Sequence, residues 1–344
     1  MLKYGCSGVL DEINLRGHIM DEIKRTFTKV FAIIESAKKN AYRKVNEELI
    51  NMYWRVGQFI SEEAKTASYG DSFIDELSRY IQDTFPGIKG FNRRGLYRMK
   101  QFYEAYVDYE KVSPLVTQIN WTNNLLILSG TKSIEEKEFY LRLCIQENYS
   151  KRELERQLDS AYYERYMLSK GKALPEGIKK INNNPFFDSY VVEFLDLPSP
   201  YKENDLRKAL ILKMRDFILE LGRDFTFIDE EYKVQVGGED YAIDLLFFHR
   251  GLQCLVAFEL KIGKFKPEYV SKMDFYLEAL DRQVKKEHEN PSVGLILCAT
   301  KNDEVVEYAM SRSMSPMLVS EYKLQLPNKE TLREKLQELI NISE

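Results

Sequence analysis

The spacing of apolar residues changes once along the chain, between about residues 170 and 200, and this limits the fold to two domains of different kinds. Before the change, apolar side chains recur at three- and four-residue steps: Ile23, Phe27, Val30, Phe31 and Ile34, then Val45, Leu49, Tyr53, Val56 and Ile60. This spacing predicts a helix over 21–65. Further helices are expected over 71–85, 93–106, 124–128, 133–147 and 150–166. The first of these is stopped by Pro86-Gly87, the second is capped by Asn92, and the last is opened by the Ser150–Glu153 capping pair. An all-helical domain over 21–169 follows, with 1–20 as a short or poorly structured segment before it. Pro175, Gly177, the Asn182-to-Pro185 run and Pro198-Ser199-Pro200 make 170–200 a linker, with one short element near 186–195.

After the linker the pattern becomes one helix, 203–220, stopped by Gly222, and then short β-branched and aromatic runs. Strands are expected over 225–236, 241–249, 252–262 and 293–299, with a helix over 267–286 before the last. Helix, three strands, helix, strand makes 201–344 an α/β domain. The chain has 344 residues, enough for two such domains. Its 50 basic and 54 acidic side chains leave a net charge of −4, so a nucleic acid would have to be met by a local basic surface.

Cysteines 6, 144, 254 and 298 form no C-x-x-C pair, which argues against a zinc knuckle and a disulfide framework and points to a reducing cytoplasm. No run resembles a signal peptide or a membrane span. Three histidines are too few for a multi-histidine metal centre. Carboxylates and lysines are the remaining tools for chemistry.

Those tools meet in one stretch. Two apolar runs flank Arg250-Gly251, which reads as a hairpin turn placing 249 opposite 252 and Asp244 opposite Ala257. Side chains alternate across a strand, so Ala257, Glu259 and Lys261 share the face of Asp244, with Glu259 a diagonal neighbour at ~7–8 Å. One explanation is a structural ion pair at the solvated end of a sheet. The other is a pair of carboxylates gripping Mg²⁺ or Mn²⁺ beside an ammonium, the equipment of phosphodiester hydrolysis.

The wording of the chain goes further than spacing. Gly237 to Phe248, Glu259-Leu260-Lys261, Phe265-Lys266-Pro267-Glu268-Tyr269, Lys272-Met273, Phe275-Tyr276-Leu277 and Asn290-Pro291-Ser292 resemble the YhcG type of PD-(D/E)xK, restriction-endonuclease-like nucleases. The N-terminal half joins in through Tyr53-Trp54-Arg55-Val56-Gly57, Tyr69-Gly70, Gly90 to Leu96 and Trp121-Thr122. The resemblance implies an all-helical N-terminal domain, which looks like a nucleic-acid-binding or assembly module, followed by a restriction-endonuclease-like core. It places Asp244 and Glu259 as metal ligands and Lys261 as the ammonium that orients the nucleophile. Such cores often add an acid on the first helix. Glu203 is the candidate and Asp205 the alternate, although carboxylates at a helix N-terminus are also favoured by the helix dipole alone. Two positions depart from the pattern: Gly95 stands where relatives commonly have Asn, and Asn123 where a His is usual.

Basic residues offer two phosphate-binding candidates. Arg93, Arg94 and Arg98, with Lys89 and Lys100 and interleaved aromatics, suit a helix against phosphates or a plain solvated face. Lys264, Lys266 and Lys272 after the candidate site suit a phosphate track or a merely soluble surface. His249 reads as a turn residue, and Trp54 and Trp121 as core. The function expected is a cytoplasmic, Mg²⁺- or Mn²⁺-dependent endonuclease acting on DNA, with RNA left open and no membrane partner. Two-strand cutting would favour a homodimer. The alternative is a catalytically inactive nucleic-acid-binding or scaffolding protein that keeps the fold.

Overall fold

The long apolar period at the N-terminus forms one helix, α1 (Ser7–Thr66), in the computed structural model, which describes residues 7–66, 72–170 and 185–343. Residues 7–20, expected to be short or poorly structured, belong to this helix. Tyr69 and Gly70 and the linker residues Pro175 and Gly177 lie outside the described residues. The chain divides into two units, 1–148 and 149–344.

In the first unit α1 is followed by α2 (Ser72–Thr84), α3 (Arg93–Tyr106), α4 (Ser113–Val116), α5 (Trp121–Gly130) and α6 (Ile134–Glu147). Asn92 caps α3 through Gly95 N–H, as its position in the sequence suggests. The core forms where α1 crosses α3, around Ile50, Tyr53, Ile60, Leu96, Met99 and Phe102, all buried. Trp54 and Trp121 join it edge-on against Phe102. α1 can approach closely because a Cβ on Gly57 would overlap the Met99 carbonyl.

The second unit starts earlier than the change in apolar spacing. It takes in α7 (Lys151–Asp159) and α8 (Tyr162–Lys170), which the sequence places with the helical domain. Glu220, fully buried, ion-pairs with Arg156 of α7 at 3.1 Å and Arg165 of α8 at 2.6 Å and accepts the Val191 N–H at 2.7 Å. This network binds the two helices to the strand-bearing part of the chain.

The remaining elements are β1 (Ser189–Val191), α9 (Glu203–Leu212), α10 (Met214–Leu221), β2 (Phe225–Val236), β3 (Glu239–His249), β4 (Cys254–Lys264), α11 (Glu268–Gln283), β5 (Val293–Thr300), α12 (Asp303–Met310), β6 (Met317–Lys323) and α13 (Lys329–Ser343). The expected helix 203–220 is thus two helices, broken at Lys213. One sheet runs in the order β1-β6-β5-β4-β3-β2, with β2, β3 and β4 antiparallel and β4, β5, β6 and β1 parallel. β6 and α12 extend the expected core. Phe217 of α10 packs on Phe247 and Phe258 on one face, and Met273, Leu277 and Leu280 of α11 sit in the cluster with Leu246, Leu255 and Ala257 on the other. An all-helical stretch followed by a mixed α/β core is the architecture.

Candidate active site

Where β3 and β4 part, the charged residues gather. The hairpin loop is longer than Arg250-Gly251: His249 pairs with Cys254, and the loop spans 250–253 with Gln253 at φ 50°. His249 is a turn residue, its buried ring accepting Leu252 N–H through Nδ1 at 3.0 Å. The register is therefore shifted by two residues from the one expected, and by extension Asp244 stands level with Glu259 instead of diagonal to it. An even shift leaves the pointing of side chains unchanged, which is why the predicted convergence survives the wrong turn. Backbone pairing stops at Leu245–Phe258, and beyond it Asp244 Oδ2 takes the Leu260 N–H at 2.7 Å. A carboxylate has replaced the strand's next backbone acceptor.

Glu259 is completely buried. Its Oε1 accepts two ammoniums, Lys261 at 2.8 Å and Lys272 of α11 at 2.6 Å, while its Oε2 is buried with no hydrogen-bond partner. Lys261 also reaches Glu203 at 3.0 Å, at the first turn of α9, and lies 5.3 Å from the Tyr269 ring. Asp205 does something else: its carboxylate accepts the Lys202 N–H at 2.8 Å and caps the helix.

The electrostatics follow from this geometry. Burial pushes the Asp244 carboxyl above its ordinary range, and the neighbouring Glu259 charge pushes it further, against the opposing pull of the Leu260 amide and the two lysines. For Lys261 burial acts downward, but the hydrogen bonds and charges of Glu259 and Glu203 outweigh it, and the ammonium is held above its ordinary value. Lys272 is raised in the same way by Glu259.

Lys272, expected on a phosphate track, is thus tied to Glu259. Lys264 and Lys266 are exposed, Lys266 lying 3.7 Å from Glu268. In the first unit Arg93 is exposed, pairs with Asp75 at 2.8 Å and lies over Tyr97; Arg94 is exposed and Arg98 half-buried.

Sequence reasoning missed Arg207. It lies one helical turn after Glu203, and its guanidinium stands 3.7 Å from Asp244 Oδ1 and 3.0 Å from Glu231 Oε1. Glu231 lies between Glu230 and Tyr232, which pair with Leu245 and Ile243, so it is level with Asp244 on β2, and it has a left-handed φ of 49°. The available signal was the Glu203/Arg207 spacing of four, which puts both on one face of the helix.

The donor set suits a hard divalent cation, with two carboxylates, one of them presenting a bare buried oxygen. Among the described residues no group of three or more His, Cys, Asp or Glu side chains is placed to hold a metal ion.

Comparison with known proteins bears on this site. Residues 183–337 match the YhcG PDDEXK nuclease domain, and residues 29–165 match the DUF1016 N-terminal domain. A protein of Escherichia coli (strain K12) named "Putative nuclease YhcG" is 30% identical over 346 residues, covering 89% of this chain and 92% of its own. Two solved structures share 17% identity: a repair endonuclease from Pyrococcus abyssi (37% of this chain, 49% of that one, TM-score 0.25) and EndoMS in apo form (38%, 48%, 0.25). The chain spans about half the length of those two, and likenesses at that score carry no part of the assignment. The assignment rests on the domain match and the near full-length relative: the chain belongs to the YhcG family of PDDEXK nucleases.

Proposed function

We propose that the chain hydrolyses DNA phosphodiester bonds with Mg²⁺ or Mn²⁺ held by Asp244 and Glu259. The observation that carries this reading is Glu259 Oε2, a buried carboxylate oxygen without a partner beside a second carboxylate whose ionisation is opposed by burial and by its neighbour. Such an arrangement costs free energy in a purely structural role. A bound divalent ion would remove that cost, acidify a water and counter charge developing on the phosphoryl group.

The chain's own residues do the rest. Lys261, held between Glu259 and Glu203, keeps its proton at neutral pH and presents a fixed ammonium to steady the attacking water. Glu203 orients Lys261, and Arg207 faces the Asp244 oxygen that the Leu260 N–H does not take. Arg94 and Lys264, both exposed, are the best placed of the expected phosphate contacts, because Arg93, Lys266 and Lys272 already have acidic partners. We place the reaction in the cytoplasm, where the buried free thiols Cys144, Cys254 and Cys298 stay reduced. No helix among the described residues is long and apolar enough to cross a membrane.

Divalent-ion-dependent nicking by the wild type, lost in Asp244→Ala and Lys261→Ala at unchanged DNA affinity, tests the proposal. Retention of linear, branched and single-stranded DNA without cleavage would replace it by the inactive binding or scaffolding reading.

A further inference from the structure

The apolar stripe along α1 is left uncovered. Phe27, Phe31, Ile34, Tyr42, Val45 and Leu49 are 37 to 76% exposed. With Lys38 counted in its place, they succeed one another at steps of 4, 3, 4, 4, 3 and 4, a heptad seam with one stutter. The seam continues where α1 packs on α3. Met52 and Phe59 remain 37 and 52% exposed, while Ile50, Tyr53 and Ile60 on the adjoining face are buried in the domain core. Each such side chain left in water forgoes ~1.5–3 kcal/mol, and a helix without a packed face is marginal. A stripe of this length calls for a partner helix.

Charge selects the partner. Residues 27–40 carry Lys29, Lys38 and Lys39 against Glu35 alone, and residues 46–59 carry Glu47 and Glu48 against Arg55 alone, with Arg43 and Lys44 between them at the crossing. An anionic lipid surface or a nucleic acid would suit the first half and be repelled by the second. A parallel copy of the same helix would set like halves side by side. An antiparallel copy sets each basic half along the other's acidic half. We infer that α1 pairs antiparallel with α1 of a second copy of this chain, over 27–59, a contact ~50 Å long at 1.5 Å per residue. Crossing near residue 43 brings Phe27 level with Phe59 of the second copy and Lys38 level with Glu48. The pairing rests on the first unit alone and stands whether or not the second unit cleaves DNA.

The test is the mass of the full-length chain in solution by light scattering after size exclusion. The expected value is about twice the 40.5 kDa of one chain. Phe31→Asp with Ile34→Asp, both at exposed positions, is expected to weaken the dimer about tenfold or more. Lys38→Glu with Lys39→Glu is expected to weaken it too, and adding Glu47→Lys with Glu48→Lys to restore it, which a parallel pair would not do. This charge exchange keeps the test decisive if the aspartates unwind the helix. A monomer at micromolar concentration, a dimer indifferent to Phe31 and Ile34, or failure of the charge exchange to rescue would overturn the inference. So would a monomer that sediments with phosphatidylserine vesicles through Phe31 and Ile34.

Discussion

The Lys272 ammonium lies 2.6 Å from Glu259 Oε1, the same oxygen that Lys261 holds at 2.8 Å. Two cations thus compensate one fully buried carboxylate from α11 and β4, where a divalent ion would act from the carboxylate's other oxygen. Lys272→Met keeps the apolar stem and removes one of the two charges. Because Lys272 is half exposed, the expected loss of stability is ~1–2 kcal/mol, below the ~3–5 of a fully buried pair. Mg²⁺ should recover more stability in the variant than in the wild type, since the deleted ammonium no longer opposes the ion. Melting temperatures with and without Mg²⁺ measure this, and equal Mg²⁺ shifts in the two proteins would count against a shared role at Glu259.

Asp244 sets function against stability. Its carboxyl is raised above the ordinary 3.8 by burial first and by Glu259 second, so the ionised form opposes folding. That opposition is absent below pH 3.8 and grows as pH climbs through the raised value, because the folded state there still holds a proton that the unfolded state has released. Asp244→Asn keeps an acceptor for Leu260 N–H and removes the charge. The metal-free variant should be more stable than wild type at neutral pH by ~0.5–2 kcal/mol and should not cleave. Denaturant midpoints at neutral and acidic pH check the sign: the advantage must shrink as pH falls.

The same residues mark how far the sequence could be read. Strand parity was legible, because two apolar runs around a turn have one sensible pairing and an error of two residues leaves every side chain on its side. The loop length was not, since the residue that closes it, Gln253, adopts a left-handed φ that no Gly or Asn announces. The pairing of Lys272 with Glu259 and of Arg207 with Asp244 was not legible, because both reach the site from helices whose docking on the sheet is a tertiary fact. The amphipathic spacing of α1 was equally plain, but spacing alone does not say that Phe27, Phe31, Ile34, Tyr42 and Val45 stay exposed.

Glu203 and Asp205 can now be separated. Glu203 touches Lys261, whereas Asp205 caps its own helix. Glu203→Gln weakens the hold on the ammonium and is expected to lower the single-turnover rate about tenfold, against ~10²–10³ for Lys261→Met, with DNA affinity unchanged. Asp205→Asn should cost ~0.5–1 kcal/mol of stability and leave the rate alone. A rate loss confined to Asp205→Asn would reverse the assignment.

Glu220 ties α7 and α8 to β1. It is fully buried and serves Arg156, Arg165 and the Val191 amide together. Glu220→Ala removes the carboxylate that Arg165, 3% exposed, pairs with at 2.6 Å, while Arg156 keeps Glu193 at 3.0 Å, and is expected to cost ~3 kcal/mol. Hydrogen exchange should then rise in α7, α8 and β1 together. A rise in β1 that spared α7 and α8 would return those helices to the first domain.

The backbone around Gly95 leaves no room for a side chain. The Gly95 N–H caps α3 through Asn92, and a Cβ there would overlap the carbonyl oxygen of Gly90, which itself has a left-handed φ of 91°. The turn from Gly90 to α3 is therefore wound too tightly for any side chain at residue 95. Backbone cannot give way as the tip of a flexible side chain can, so Gly95→Ala must open the turn or loosen the cap. Loss of a cap costs about 1 kcal/mol, and backbone displacement adds to it, for an expected ~2 kcal/mol or more. Gly95→Asn should cost no less, and replacing Gly90 by Ala as well should not rescue either. Denaturant unfolding of the full chain checks this, and a neutral Gly95→Ala would mean that the Gly90 turn is looser than its geometry implies.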